Sequence, residues 1–64
     1  MNTYEVHIEA RGEECGTNIE VKVILYPILA ATQTSAINKS KVIFKPKFKG
    51  YTISQVNAYV SPSL

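Results

Sequence analysis

The chain has 64 residues and a formal net charge of +2, with one cysteine, one histidine and no aspartate. A chain of this length supports one domain, residues 1–64, which removes only about 60% of its unfolded surface from water on folding. Cys15 has no intrachain disulfide partner, and Cys15 with His7 cannot supply the four ligands of a structural zinc site. We therefore expect no metal and no cofactor.

The single cysteine favours a reducing compartment, because free thiols persist there. The N-terminus lacks the charged and then apolar pattern of a signal peptide. The longest apolar run, 23–31, is shorter than the roughly 20 residues of a membrane span. These features predict a cytoplasmic protein, in the host cytoplasm if a phage encodes it, that does not enter membranes.

Charge is unevenly distributed along the chain. Residues 1–20 contain five glutamates and one arginine, a net charge of −4, whereas residues 21–64 contain six lysines and no acidic residue. Such an asymmetry predicts one acidic and one basic surface, each of which biases the choice of partner.

Two segments near the N-terminus alternate between apolar and polar residues. Residues 4–10 and 19–25 both have the two-residue period of a half-buried strand. The polar segment 11–17 between them contains two glycines and is short enough to connect antiparallel neighbours. The sequence therefore predicts a β-hairpin.

A helix is predicted next, at about 27–38, because Pro27 suits a first helical position and Leu29, Thr32 and Ala36 would share one side. Residues 42–44 are typical of a short strand. Pro46 has no N–H to donate to a sheet, so it confines 45–49 to an edge strand or a loop.

The last predicted strand is 51–60, followed by a tail at 61–64. Its apolar phase changes partway, which predicts a β-bulge at Ser54–Gln55. The resulting fold is α+β: a small antiparallel sheet made of a hairpin, a short edge strand and a long C-terminal strand, with one helix packed on one face. The other face, called the open face below, carries Glu5, His7, Glu9, Glu20, Lys22, Ile24, Gln55, Asn57 and Tyr59.

Catalysis is disfavoured by composition. With no aspartate and one histidine, a nucleophile, base and orienting acid cannot be assembled, so we expect no catalytic residues and no enzyme. The spacing between successive residues of the set Glu5, His7 and Glu9 is about 6.6 Å along a strand, which is long for ligands of one metal ion unless a neighbouring strand contributes. A solvated strand face explains them better.

Five lysines lie within eleven residues, interleaved with Phe44 and Phe48 and followed by Tyr51: Lys39, Lys41, Lys45, Lys47 and Lys49. If 44–49 is extended, the last three lysines share a face and become candidates for partner binding or for nucleic acid. Protection of an edge strand against aggregation is the ordinary alternative. On the open face, Glu5, Glu9 and Tyr59 are the candidate partner-binding residues, because acids mixed with a lysine, the apolar Ile24 and the amphipathic Tyr59 favour a docking surface. A wet sheet face with no function is the ordinary alternative.

Three segments carry a resemblance: Glu20–Val21, the stretch Gly50 to Val56, and Tyr59 to Pro62. They resemble the hairpin, the glycine-aromatic turn and the last strand of the very small phage proteins that inhibit bacterial RNA polymerase. The resemblance implies docking through the sheet, with Glu9 or Glu5 in the acidic role. Gln55 and Asn57 stand where that family has arginines. The basic stretch 39–49 looks more like the lysine-bearing surfaces of some anti-CRISPR proteins, which bind nucleoprotein effectors.

The sequence thus leads to one functional hypothesis and two alternatives. We expect a phage or mobile-element accessory protein that inhibits or redirects a host protein or nucleoprotein complex by stoichiometric binding, in a host-takeover role. The alternatives are a nucleic-acid-binding protein that uses the 39–49 lysines, and a homo-oligomeric structural subunit, such as a homodimer.

Overall fold

The computed structural model describes residues 1–61. Strands β1 (Asn2–Glu14) and β2 (Thr17–Ala30) come first, followed by helix α1 (Gln33–Lys47) and strand β3 (Thr52–Val60). The strands form one antiparallel sheet in the order β2-β1-β3, and α1 contacts all three of them. The predicted α+β class, with one helix on an antiparallel sheet, is confirmed.

The hairpin is confirmed and is longer than predicted. β1 and β2 pair from Asn2↔Ala30 to Glu14↔Thr17, so the turn contains only Cys15 and Gly16 instead of the predicted 11–17. Both turn residues have positive φ, 52° and 76°, as a type I′ hairpin turn requires. Gly12, expected in the turn, lies inside β1 instead.

The prediction that Pro27 begins a helix is wrong, because residues 27–30 belong to β2. The register changes from Val6↔Leu25 to Tyr4↔Ile28, so β2 contains a bulge at Tyr26–Pro27. A bulge is one of the few sheet positions where proline is tolerated, since a bulged residue does not need to donate to the ladder.

The helix begins after Thr32, whose Oγ1 accepts a hydrogen bond from the Ser35 N–H at 3.1 Å. It buries Ala36, Ser40 and Phe44, which follow one another at four-residue spacing and therefore face the sheet together. The small residues Ala36 and Ser40 allow close approach, and the buried Ser40 hydroxyl donates to the Ala36 carbonyl at 2.9 Å.

The predicted strand at 42–44 and the edge strand or loop at 45–49 are also wrong, because α1 continues to Lys47 with Pro46 in its last turn. Proline removes the N–H that would bond the carbonyl four residues earlier, here that of Val42. Val42 is 71% exposed, so water can satisfy that carbonyl. The helix therefore tolerates a proline at this position.

The bulge predicted in the last strand is confirmed. Glu9 pairs with Gln55 and Ala10 pairs with Ile53, which leaves Ser54 as the extra residue. Its hydroxyl donates to the Glu9 carbonyl at 3.1 Å. Beyond β3, the Ser61 N–H donates to the Thr3 carbonyl at 2.8 Å, so Ser61 is attached to the sheet. The rest of the predicted tail, 62–64, lies outside the described residues.

The core lies between α1 and the inner face of the sheet. β1 occupies the centre, and the apolar side of its alternation is buried as predicted. The buried apolar residues are Tyr4, Val6, Ile8, Ala10, Ile28, Ala30, Ala36, Phe44 and Ala58. The outer face of the sheet has no element packed on it within residues 1–61, which agrees with the predicted open face.

Candidate functional site

All five candidate lysines are exposed, on α1 or just beyond its C-terminus. Residues 44–47 are helical, so the extended arrangement in which Lys45, Lys47 and Lys49 would share a face does not occur. Lys41 and Lys45 are four residues apart on one side of α1, and Lys49, just beyond the helix, lines the same groove; these three residues are called the lysine row below. Lys39 lies elsewhere and donates to the Leu29 carbonyl of β2, and Lys47 also lies off the row.

The lysine row borders a groove between the end of α1 and the start of β3. This groove, called the lysine groove below, has a volume of about 430 Å³. Besides the row, its lining consists of Phe44, Phe48, Gly50, Tyr51 and Ile53. Cationic groups at the rim and apolar groups on the floor can accept a partner that combines acidic and apolar side chains.

The aromatic rings on the floor of the lysine groove pack against one another. Phe44 and Phe48 stack with their centroids 4.6 Å apart, and Phe48 meets Tyr51 edge-to-face at 5.9 Å. Phe44 is only 2% exposed, and Phe48 and Tyr51 are half-buried. The rings therefore form a fixed apolar surface, with little free face on which a nucleic-acid base could stack.

Tyr51 links the groove to the hairpin. Its ring lies over Gly12, where an added Cβ would come within 2.6 Å of ring carbons, and its hydroxyl donates to Glu14 Oε1 at 3.1 Å. Burial, the hydrogen bond that the hydroxyl donates to Glu14 and the negative charge of Glu14 raise the pKa of Tyr51. The sequence does not reveal this pair, because its pattern places Gly12 in the predicted turn 11–17; only a glycine known to lie within a strand would indicate such a close approach.

The other candidate residues lie on the open face, as predicted. Glu5 pairs with Tyr59 across β1 and β3, and its Oε2 lies 2.9 Å from His7 Nε2. The His7 ring meets the Tyr59 ring edge-on at 5.0 Å. Glu9 lies between Lys22 on β2 and Gln55 on β3. Glu5 and Tyr59 thus belong to one contact cluster, from which Glu9 is separate.

The two candidate surfaces lie on opposite sides of the sheet and differ in charge. The α1 side carries the lysines, whereas Glu5, Glu9 and Glu20 lie on the open face with Arg11 and Lys22. Arg11 Nε and Glu20 Oε1 are 3.2 Å apart, and both side chains are exposed. Within residues 1–61, no group of three or more His, Cys, Asp or Glu side chains is placed to hold a metal ion.

Comparisons with protein-family models, curated protein sequences and solved structures give no match. The resemblance to phage inhibitors of RNA polymerase therefore stays a prediction. In the part of the chain that the structure describes, the one helix is too short and too polar to cross a membrane.

Proposed function

We propose that this chain is a stoichiometric binding protein that docks its lysine groove on an acidic surface of a larger macromolecular complex. One observation supports the proposal above all: Lys41, Lys45 and Lys49 line one groove together with three aromatic side chains and Ile53. Charge complementarity would guide association, and the groove floor would contribute apolar contact.

A protein partner fits this groove better than a nucleic acid does. The lysine row is short, with about 6 Å between Lys41 and Lys45 along the helix axis, so it would neutralise few phosphates. No arginine lines the groove, and arginine is the residue that reads phosphates and bases in bidentate fashion. The floor rings already contact one another.

We also propose that binding inhibits or redirects the partner complex by occupying its surface. This part rests on the sequence resemblance to phage inhibitors and to anti-CRISPR proteins, and a host complex in the cytoplasm is the partner that the resemblance implies. The open face with Glu5, Glu9 and Tyr59 offers a second contact surface of opposite charge.

Lys45 and Lys47 provide a matched pair for testing the groove. Both are exposed lysines in the last turn of α1, but only Lys45 lines the groove. After capture of a complex from bacterial lysate and identification by mass spectrometry, we expect Lys45→Glu to weaken binding about tenfold or more, and Lys47→Glu to change it far less.

Equal losses from the two variants would contradict docking through the groove. Loss of capture after nuclease treatment, together with steeply salt-dependent binding of random oligonucleotides by the purified protein, would replace the proposal with nucleic-acid binding. Circular dichroism of both variants establishes that α1 is intact.

A further inference from the structure

β2 is an edge strand with a long stretch available for pairing. One edge of β2 pairs with β1, and its other edge has no partner strand among residues 1–61. Between the hairpin turn and the Tyr26–Pro27 bulge, residues 17–25 pair with β1 without any register shift. Proteins usually block such an edge or use it to bind another strand.

The hairpin turn determines which backbone groups face outward. In a two-residue hairpin the residues that flank the turn, here Glu14 and Thr17, form a hydrogen-bonded pair, and bonded pairs then alternate along the ladder. Odd-numbered residues of β2 therefore bond to β1. The even-numbered residues Asn18, Glu20, Lys22 and Ile24 direct their N–H and C=O groups to the free edge.

The sequence of this edge is complementary to itself. If two copies pair antiparallel about a two-fold axis at Val21, Glu20 of each copy lies opposite Lys22 of the other. Both belong to the outward-bonding set, so the pairs are hydrogen-bonded as well as oppositely charged. An axis at Glu20 or at Lys22 would instead oppose like charges, and an axis at Ile19 or Val23 would create no ion pair. Charge complementarity therefore favours the two-fold axis at Val21 over the other positions.

The same register covers apolar surface on the inner face. Val21 lies opposite its own copy and Ile19 lies opposite Val23, all of them half-buried in the single chain. Ile43 of α1 is 40% exposed and lies one turn after Lys39, which contacts β2, so it flanks this edge. A second copy would remove part of these side chains from water.

We propose that two copies of this chain associate through the outer edges of β2, antiparallel about Val21, into a six-stranded sheet with both helices on one face. The inference does not depend on the lysine groove. Because the groove lies on the β3 side of α1, it stays accessible, and the dimer presents two grooves to a partner.

Sedimentation equilibrium of the full chain, from micromolar to millimolar concentration, tests the proposal. Glu20→Lys and Lys22→Glu each place like charges opposite one another twice, so we expect each to weaken the dimer about tenfold. The double variant Glu20→Lys/Lys22→Glu restores opposite charges and should recover most of the affinity. Gln55→Glu, on the other edge strand, is the control and should leave the dimer unchanged.

Cross-linking reports the register independently. In a Cys15→Ser background, Val21→Cys should form a disulfide-linked dimer under mild oxidation, because residues 21 of the two copies face each other, whereas Ile24→Cys should not. A monomer at all concentrations would overturn the proposal. So would a dimer that neither charge reversal affects and that position 21 does not cross-link.

Discussion

The ring of Tyr51 occupies the space that a side chain at position 12 would need. Gly12 lies in the part of the hairpin that extends past the end of α1, and Tyr51 covers this part before β3 begins. An aromatic ring over a strand glycine supplies contacts that glycine itself lacks. The pair therefore ties the hairpin to the lysine groove.

Gly12→Ala should destabilise the protein by about 1–3 kcal/mol, because the new methyl group would overlap ring carbons that are held by Phe48 and Glu14. The free energy of unfolding in urea measures the effect. In a Tyr51→Ala background the same substitution should cost much less, since the ring is gone; an equal cost in both backgrounds would show that the contact is unimportant.

The raised pKa of Tyr51 determines how the free energy of unfolding depends on pH. Burial and the hydrogen bond to Glu14 favour the neutral phenol, so the folded-state pKa exceeds the unfolded value of about 10. The stabilising contribution is complete below that unfolded value and is lost as pH rises through the folded pKa.

Removing the Glu14 carboxylate should lower the pKa of Tyr51. NMR titration of the Tyr51 Cζ resonance in Glu14→Gln measures the shift, and Glu13→Gln provides a matched neighbouring control. An unchanged Tyr51 pKa in Glu14→Gln would mean that the hydrogen bond seen at 3.1 Å has no weight in solution.

At the level of elements, the start of α1 depends on Thr32. Its side chain satisfies one of the unpaired N–H groups of the first turn. Thr32→Ala should lower the free energy of unfolding by about 1 kcal/mol. Thr34→Ala, an exposed substitution two residues later, should have little effect or a slightly favourable one; a similar loss from both would contradict a capping role.

The sequence predicted the elements whose pattern repeats with a period of two. Alternation gave both hairpin strands, and the phase change at Ser54 gave the bulge, because a change of phase in a strand requires an extra residue. Proline was ambiguous: Pro27 is compatible with a helix start and with a bulge, and the tertiary pairing of β1 with residues 28–30 decides for the bulge.

The helix was misplaced because its buried side contains little apolar periodicity. Ala36 and Ser40 are small, Ser40 is polar, and only Phe44 is a large buried side chain on α1. The sequence identifies the lysines as candidates, but their arrangement depends on whether the segment is extended or helical. That choice rests on the packing of Phe44 and Phe48 against the sheet, which spacing alone does not reveal.

In the folded molecule, the uneven distribution of charge along the chain separates a lysine-rich side from a glutamate-rich side. The domain measures 43 × 17 × 15 Å, with lysines on the α1 side and most glutamates on the open face or at the hairpin end. The lysine groove and the open face thus lie on opposite sides of a small domain, and pairing at β2 would leave the groove and the part of the open face around Glu5, Glu9 and Tyr59 exposed.

The central position of β1 has a consequence for biosynthesis. β1 supplies four of the buried apolar residues, yet one of its two sides stays bare until the segment up to Val60 has left the ribosome. A nascent or prematurely terminated polypeptide that stops before β3 would therefore expose an unpaired edge of the strand that is central in the complete sheet. Such truncated products should be the species that proteases and chaperones recognise first.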